Sequence, residues 1–177
     1  MADSFPQPQS GEYAEYYTGY LAKAPAGALL EVLRNQHQKL VAELESLSES
    51  HGELRYAPDK WTVKEVLAHL IDAERVFAYR ALRIARGDKT PLPGFDEVAY
   101  AKESLAGART IADLAAEFAY LRLSNIAMFS SFPPEVAVRL GTASGYPCSV
   151  RALGWIMAGH VEHHRILLRE RYGVLPE

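Results

Sequence analysis

The stretch TVKEVLAHLIDAERVFAYRALRIARG, residues 62–87, constrains the fold more than any other part of the chain. It holds a start signal, a long apolar stripe and a stop signal in one uninterrupted run. Thr62 and Glu65 read as a capping box, in which a hydroxyl and a carboxylate each take up a free amide of the first turn. Val63, Val66, Leu67, Leu70, Val76 and Phe77 recur at helical spacing and give the helix one apolar side. Gly87 is a natural C-terminal stop. Such a helix must bury that side against other helices.

Three more segments have the same design. In residues 26–50, Leu30, Leu33, Leu40, Leu44 and Leu47 form a stripe that also includes His37, with Pro25 in the first turn and Gly52 as the stop. In RTIADLAAEFAYLRLSNIAMFSSF, residues 109–132, Thr110 and Asp113 form a capping pair. Its core residues are Ile111, Leu114, Phe118, Leu121 and Ile126, and Pro133 and Pro134 end it. Ser149 caps a last helix that runs to Tyr172, where Arg169 and Arg171 suit the helix dipole and Gly173 ends the helix. Between these segments lie a proline-containing connection with a helical turn or two in residues 96–103, and the glycine-rich RLGTASGYPC with a short hairpin. The expectation is an all-α four-helix bundle over residues 26–177, preceded by an extended arm over residues 1–25. The tyrosines of that arm, Tyr13, Tyr16, Tyr17 and Tyr20, are expected to pack across the domain surface rather than to build a ligand site.

Composition narrows the function. A net charge of -3 argues against a dedicated nucleic-acid binder, which would show a basic face. No apolar run approaches the ~18 residues of a membrane span. The first residues lack the order of a signal peptide, and the lone Cys148 permits no internal disulfide, which fits a cytoplasmic protein.

The last helix raises the chemical question. GHVEHHRILL, residues 159–168, holds three of the six histidines. On a helical wheel His160 and His164 fall in the middle of the apolar stripe, one turn apart on one face. His163 lies at its edge, and Glu162 and Arg165 point away. Burying an imidazole without partners costs roughly 1–3 kcal/mol. One such residue is readily served by a backbone carbonyl; two in register suit a shared metal ion. The spacing is that of the two histidines in H-E-x-x-H, but H-V-E-H-H lacks that motif's glutamate, so a metalloprotease is set aside. A mononuclear site needs a third ligand. His69 lies at the edge of the second helix's inward stripe, and His37 lies on the first helix's stripe. His51 belongs to a solvated loop.

The tryptophan before the second helix, the histidine two turns into it and H-x-x-x-H in the last helix together resemble the DinB-like (DinB/YfiT) superfamily of metal-dependent enzymes. The likeness runs from the first long helix to Tyr172. It implies an up-down-down-up bundle with an open metal site whose ligands map onto His69, His160 and His164. It implies a divalent ion such as zinc or nickel, and homodimers formed through bundle faces. The characterised relatives it implies are S-transferases and isomerases that use a low-molecular-weight thiol.

The expected function is a metal-dependent thiol S-transferase acting on a small molecule. The alternatives are a hydrolase using metal-bound water and a non-enzymatic, stress-related metal-binding protein whose site His37 closes. Glu65 and Asp72, one turn either side of His69, are second partners for its ring or plain surface carboxylates. Arg80, nearly three turns beyond His69, forms an ion pair within the bundle or attracts an anionic substrate. Cys148 reads as a packing residue.

Overall fold

The computed structural model describes residues 5–176; the first four residues of the expected arm, and Glu177, lie outside the described residues. A 3-10 turn at Glu15–Tyr17 leads into a short helix, α1 (Thr18–Leu21). Two bundle helices follow, α2 (Leu29–Glu45) and α3 (Val63–Ala85), then a short α4 (Glu97–Glu103). The third bundle helix is α5 (Ile111–Ser130). A hairpin of β1 (Leu140–Ala143) and β2 (Tyr146–Ser149) leads into the fourth, α6 (Val150–Glu170). No helix among the described residues is long and apolar enough to cross a membrane.

The caps form where the sequence places them. The Glu65 amide donates to Thr62 Oγ1 at 3.1 Å, and the Thr62 amide donates to the Glu65 carboxylate at 2.6 Å. Thr110 and Ser149 accept from the amides of Asp113 and Ala152. Gly87 and Gly173, with φ of +81° and +65°, take the left-handed conformation that ends a helix.

The first bundle helix differs from expectation. Gly27 has φ +134° and Ala28 is extended, so α2 starts at Leu29 and Pro25 stays outside it. Its buried face is also turned by one residue. Leu29, Val32, Leu33, Gln36, Leu40, Glu43 and Leu44 face inward, while His37 sits at the edge. The two polar members of that face are matched: Gln36 donates to the Ala158 carbonyl at 2.9 Å, and Glu43 pairs with Arg165 at 2.5 Å. Arg165 therefore points away from the histidine stripe but into the α2 contact, not into water. The chain after α2 turns at Ser48 into a 3-10 turn, Glu49–Glu53, where the His51 ring accepts from the Ser48 amide. His51 is half-buried there rather than in a solvated loop.

In space α2 packs on α5 and α6, and α3 packs on the same two. The second and last bundle helices are thus neighbours, which a three-histidine site requires. Two apolar clusters fill the bundle, one around Phe77, Phe129 and Trp155, the other around Leu67, Phe118 and Leu168.

Two glycines of α6 permit unusually close approaches. A Cβ on Gly154 would lie 2.5 Å from Leu29 Cδ2. One on Gly159 would lie 2.0 Å from the Tyr20 carbonyl oxygen, so α1 rests directly on the α6 backbone. The arm is tied down further by Glu12, which accepts from Ser149 Oγ and Arg151, and by Trp155, which donates to the Phe5 carbonyl at 2.8 Å.

The hairpin turns at Ser144 and Gly145, with φ of +53° and +83°, the two-residue turn that suits right-twisted strands. Leu92 binds this hairpin through two backbone hydrogen bonds, to Thr142 and Ser144, and so draws the α3–α4 connection over the same end of the bundle.

Candidate metal centre

The long capped α3 presents His69, and α6 presents His160 and His164 one turn apart. Because the two helices pack side by side, the three rings converge. One nitrogen from each lies within 4.8 Å of the others. His69 Nε2 and His160 Nε2 stand 3.0 Å apart, and all three side chains are buried.

Burial sets their protonation. It pushes His160 and His164 well below the ordinary histidine value, and the neighbouring histidines add to the effect. Burial lowers His69 to about 4, with Glu97 opposing. All three rings are neutral at physiological pH, the form that donates a lone pair to a metal. His164 Nδ1 is buried and has no hydrogen-bond partner. A buried unpaired imidazole nitrogen is costly, and a cation among three facing nitrogens would relieve that cost. The donor set therefore fits a divalent metal ion.

The histidines open into a cavity of about 300 Å³. The Trp61 ring lies 4.8 Å from His69, and Phe77 packs edge-on to His160. Tyr20 meets both His160 and His163 edge-on at 5.2 Å. Tyr17, Arg80, Phe95, Glu97 and Ser144 complete the wall. The arm thus does more than cover a surface: Tyr16, Tyr17 and Tyr20 wall the histidine cavity. Their unusual density in one short segment was the available signal. Phe95 and Glu97 come from the α3–α4 connection, and Ser144 comes from the hairpin turn. No helical period could have placed them there.

Other expectations sort clearly. His37 does not join the cluster, and its Nδ1 is buried without a partner. His163 lies beside the cluster, 4.9 Å ring to ring from His164, but is not one of its three members. Glu65 is committed to the helix cap and to Arg55 at 3.2 Å. The charges acting on Asp72 are Arg75, Glu117 and Arg109 rather than the histidines. Cys148 is buried, and its thiol is pushed up to about 12 by that burial, so it stays protonated and unreactive. Arg80 makes no ion pair among the described residues. Its Nη2 donates to the Pro93 carbonyl at 2.7 Å and the Ser144 hydroxyl at 3.0 Å.

The solved structure of YfiT from Bacillus subtilis, described as a probable metal-dependent hydrolase with an unusual four-helix bundle topology, has a similar fold. The TM-score is 0.65 at 19% identity, covering 96% of this chain and 97% of that one. No curated protein sequence matches this one. A sequence profile described as the DinB superfamily matches residues 32–168, from within α2 to within α6, and leaves the tyrosine arm outside. With that match covering most of the bundle, the chain belongs to the DinB superfamily.

Proposed function

We propose that this protein is a metal-dependent enzyme in which His69, His160 and His164 hold a divalent cation, zinc or nickel, and that it transfers a low-molecular-weight thiol to an electrophilic small molecule. The observation that carries the reading is the convergence of three neutral, buried imidazoles, one with an orphaned nitrogen, on a cavity large enough for small reactants. Such an ion supplies Lewis acidity and lowers the pKa of a thiol or water bound to it.

The choice of thiol over water follows from the carboxylates. Water is commonly activated with the help of a positioned base. Glu162, inside H-V-E-H-H, is turned toward Gln36 and Arg165 instead of the cavity. Glu97 is the one carboxylate among the residues lining the cavity, and it is exposed. A small thiol, ordinarily near pKa 8.5, needs less help to reach its nucleophilic form. The aromatic wall of Tyr17, Tyr20, Trp61 and Phe77 would shield that nucleophile from bulk water.

A hydrolase is the second reading. It is supported by the printed description of the similar fold and by Glu97 as an available base. The inert, closed site lacks support, because His37 does not reach the cluster.

Metal analysis of the purified protein, with His160→Ala alongside, tests the ligand set. Stoichiometric divalent metal in the parent and its loss in the variant is expected; stoichiometric retention by the variant overturns the assignment. Turnover of electrophiles with and without added thiol then separates the two reactions. Turnover that ignores the thiol moves the protein to the hydrolase reading.

A further inference from the structure

Four arginines are buried among the described residues, and three of them meet carboxylates. Arg122 pairs with Glu74, Arg151 with Glu12 and Arg165 with Glu43. Buried Lys64 follows the same rule with Glu49 and Glu53. Arg80 is the exception. It is only 3% exposed, yet both of its hydrogen bonds end on neutral oxygens. A guanidinium cannot shed its proton to escape burial, so this charge stays in place without a counterion.

Its position indicates a use. Arg80 follows His69 by eleven residues on α3, which is within about 20° of the same helix face and a rise of about 16 Å. Both residues line one cavity, and Phe77 lines it between them. Glu97 shares the cavity but does not come within ion-pairing distance of Arg80.

The guanidinium is also held in a built seat. Pro93 and Ser144 come from segments far apart in sequence, yet the Ser144 amide donates to the Leu92 carbonyl at 3.0 Å, locking the two acceptors together. Both hold the same nitrogen, Nη2. A guanidinium carries five N–H donors in one plane, so the Nε–H and the two N–H of Nη1 remain for another partner.

We propose that Arg80 is the anion-recognition residue of the cavity. A substrate with an oxyanion head, such as a carboxylate, docks on its guanidinium, its apolar body lies along Tyr17 and Phe77, and its reacting end reaches the three histidines. Only that last placement rests on the metal-site reading above.

The test uses 4-phenylbutanoate and 4-phenylbutan-1-ol, which share a body and differ in charge. Their binding to the full chain is measured by calorimetry in metal-loaded and metal-stripped protein. The acid is expected to bind at least about tenfold more tightly than the alcohol in both states, as a charge-assisted hydrogen bond from the free donors should provide. Arg80→Met is expected to abolish the preference and Arg80→Lys to keep part of it, with metal content unchanged in both. Equal affinities in the parent protein, a comparison that needs no variant, overturn the proposal. So does a preference that survives Arg80→Met, or one that exists only in the metal-loaded protein and ignores that substitution, because the acid would then sit on the ion. If the parent takes up no metal but the stripped protein keeps an Arg80-dependent preference, the metal reading fails and this proposal stands.

Discussion

Two of the polar groups inside the bundle are built in opposite ways. Between α3 and α5, Glu74 accepts from Arg122 at 2.7 Å and from Asn125 at 3.1 Å. The Arg122 guanidinium also lies over the Phe118 ring, 5.2 Å from its centroid. Although Arg122 Nε and Nη1 make no hydrogen bond, its charge is cancelled on the spot. Between α3 and α6, the three histidines carry no charge, share one hydrogen bond between His69 and His160, and open into a cavity. Polarity that closes on itself holds helices together. Polarity left open toward a cavity is available for chemistry.

That contrast can be broken by mutation. The largest expected effect is at Glu74. Glu74→Ala leaves Arg122 charged and unpaired in the core, which should cost about 3–5 kcal/mol. Urea unfolding checks it, and a midpoint close to the parent's would mean that the pair is not structural. Next comes pH. Arg151, with help from Ser149, holds the Glu12 carboxyl down to about 2 from 4.5. A depressed carboxyl stabilises the fold fully above its unfolded value and loses that contribution as pH falls through the folded one. The stability gap between the parent and Glu12→Gln should therefore close from pH 4.5 toward pH 2 in thermal unfolding; a constant gap would show that the ionised pair is not its source. The smallest effect concerns the open group. In metal-free protein, His160→Ala should cost clearly less than Glu74→Ala, roughly 1–2 kcal/mol, because it removes a desolvated ring and its one neutral hydrogen bond with His69. A loss as large as that of Glu74→Ala would place the histidines among the structural contacts.

The two groups also differed in how visible they were in the sequence. The histidine pair shows because imidazoles at one-turn spacing violate an apolar stripe, a local rule. The capping residues Thr62, Thr110 and Ser149 show for the same reason, since cap and helix are neighbours along the chain. The Glu74–Arg122 pair shows nothing: each residue alone resembles an ordinary helix charge, and only the packing of α3 on α5 makes them partners. The face of α2 differs by one residue from its leucine stripe for the same reason. Gln36 and Glu43 look like surface positions until Ala158 and Arg165 are placed opposite them. Arg80 was legible as one residue with two readings. The ion pair was the simpler of these, and the absence of a carboxylate is known only in three dimensions. The density of tyrosines in the arm signals packing, but nothing local marks Gly159 as the gap that lets the arm approach the histidines.

The place of Trp61 gives the molecule an optical property. The chain has two tryptophans. Trp155 is sealed in the core against the Phe5 carbonyl, so its emission should stay steady. Trp61 lies against His69 and lines the cavity, so its emission should follow whatever enters there. The protein thus carries its own lamp at the site and a second in the core as reference, and occupancy can be followed in the unlabelled chain.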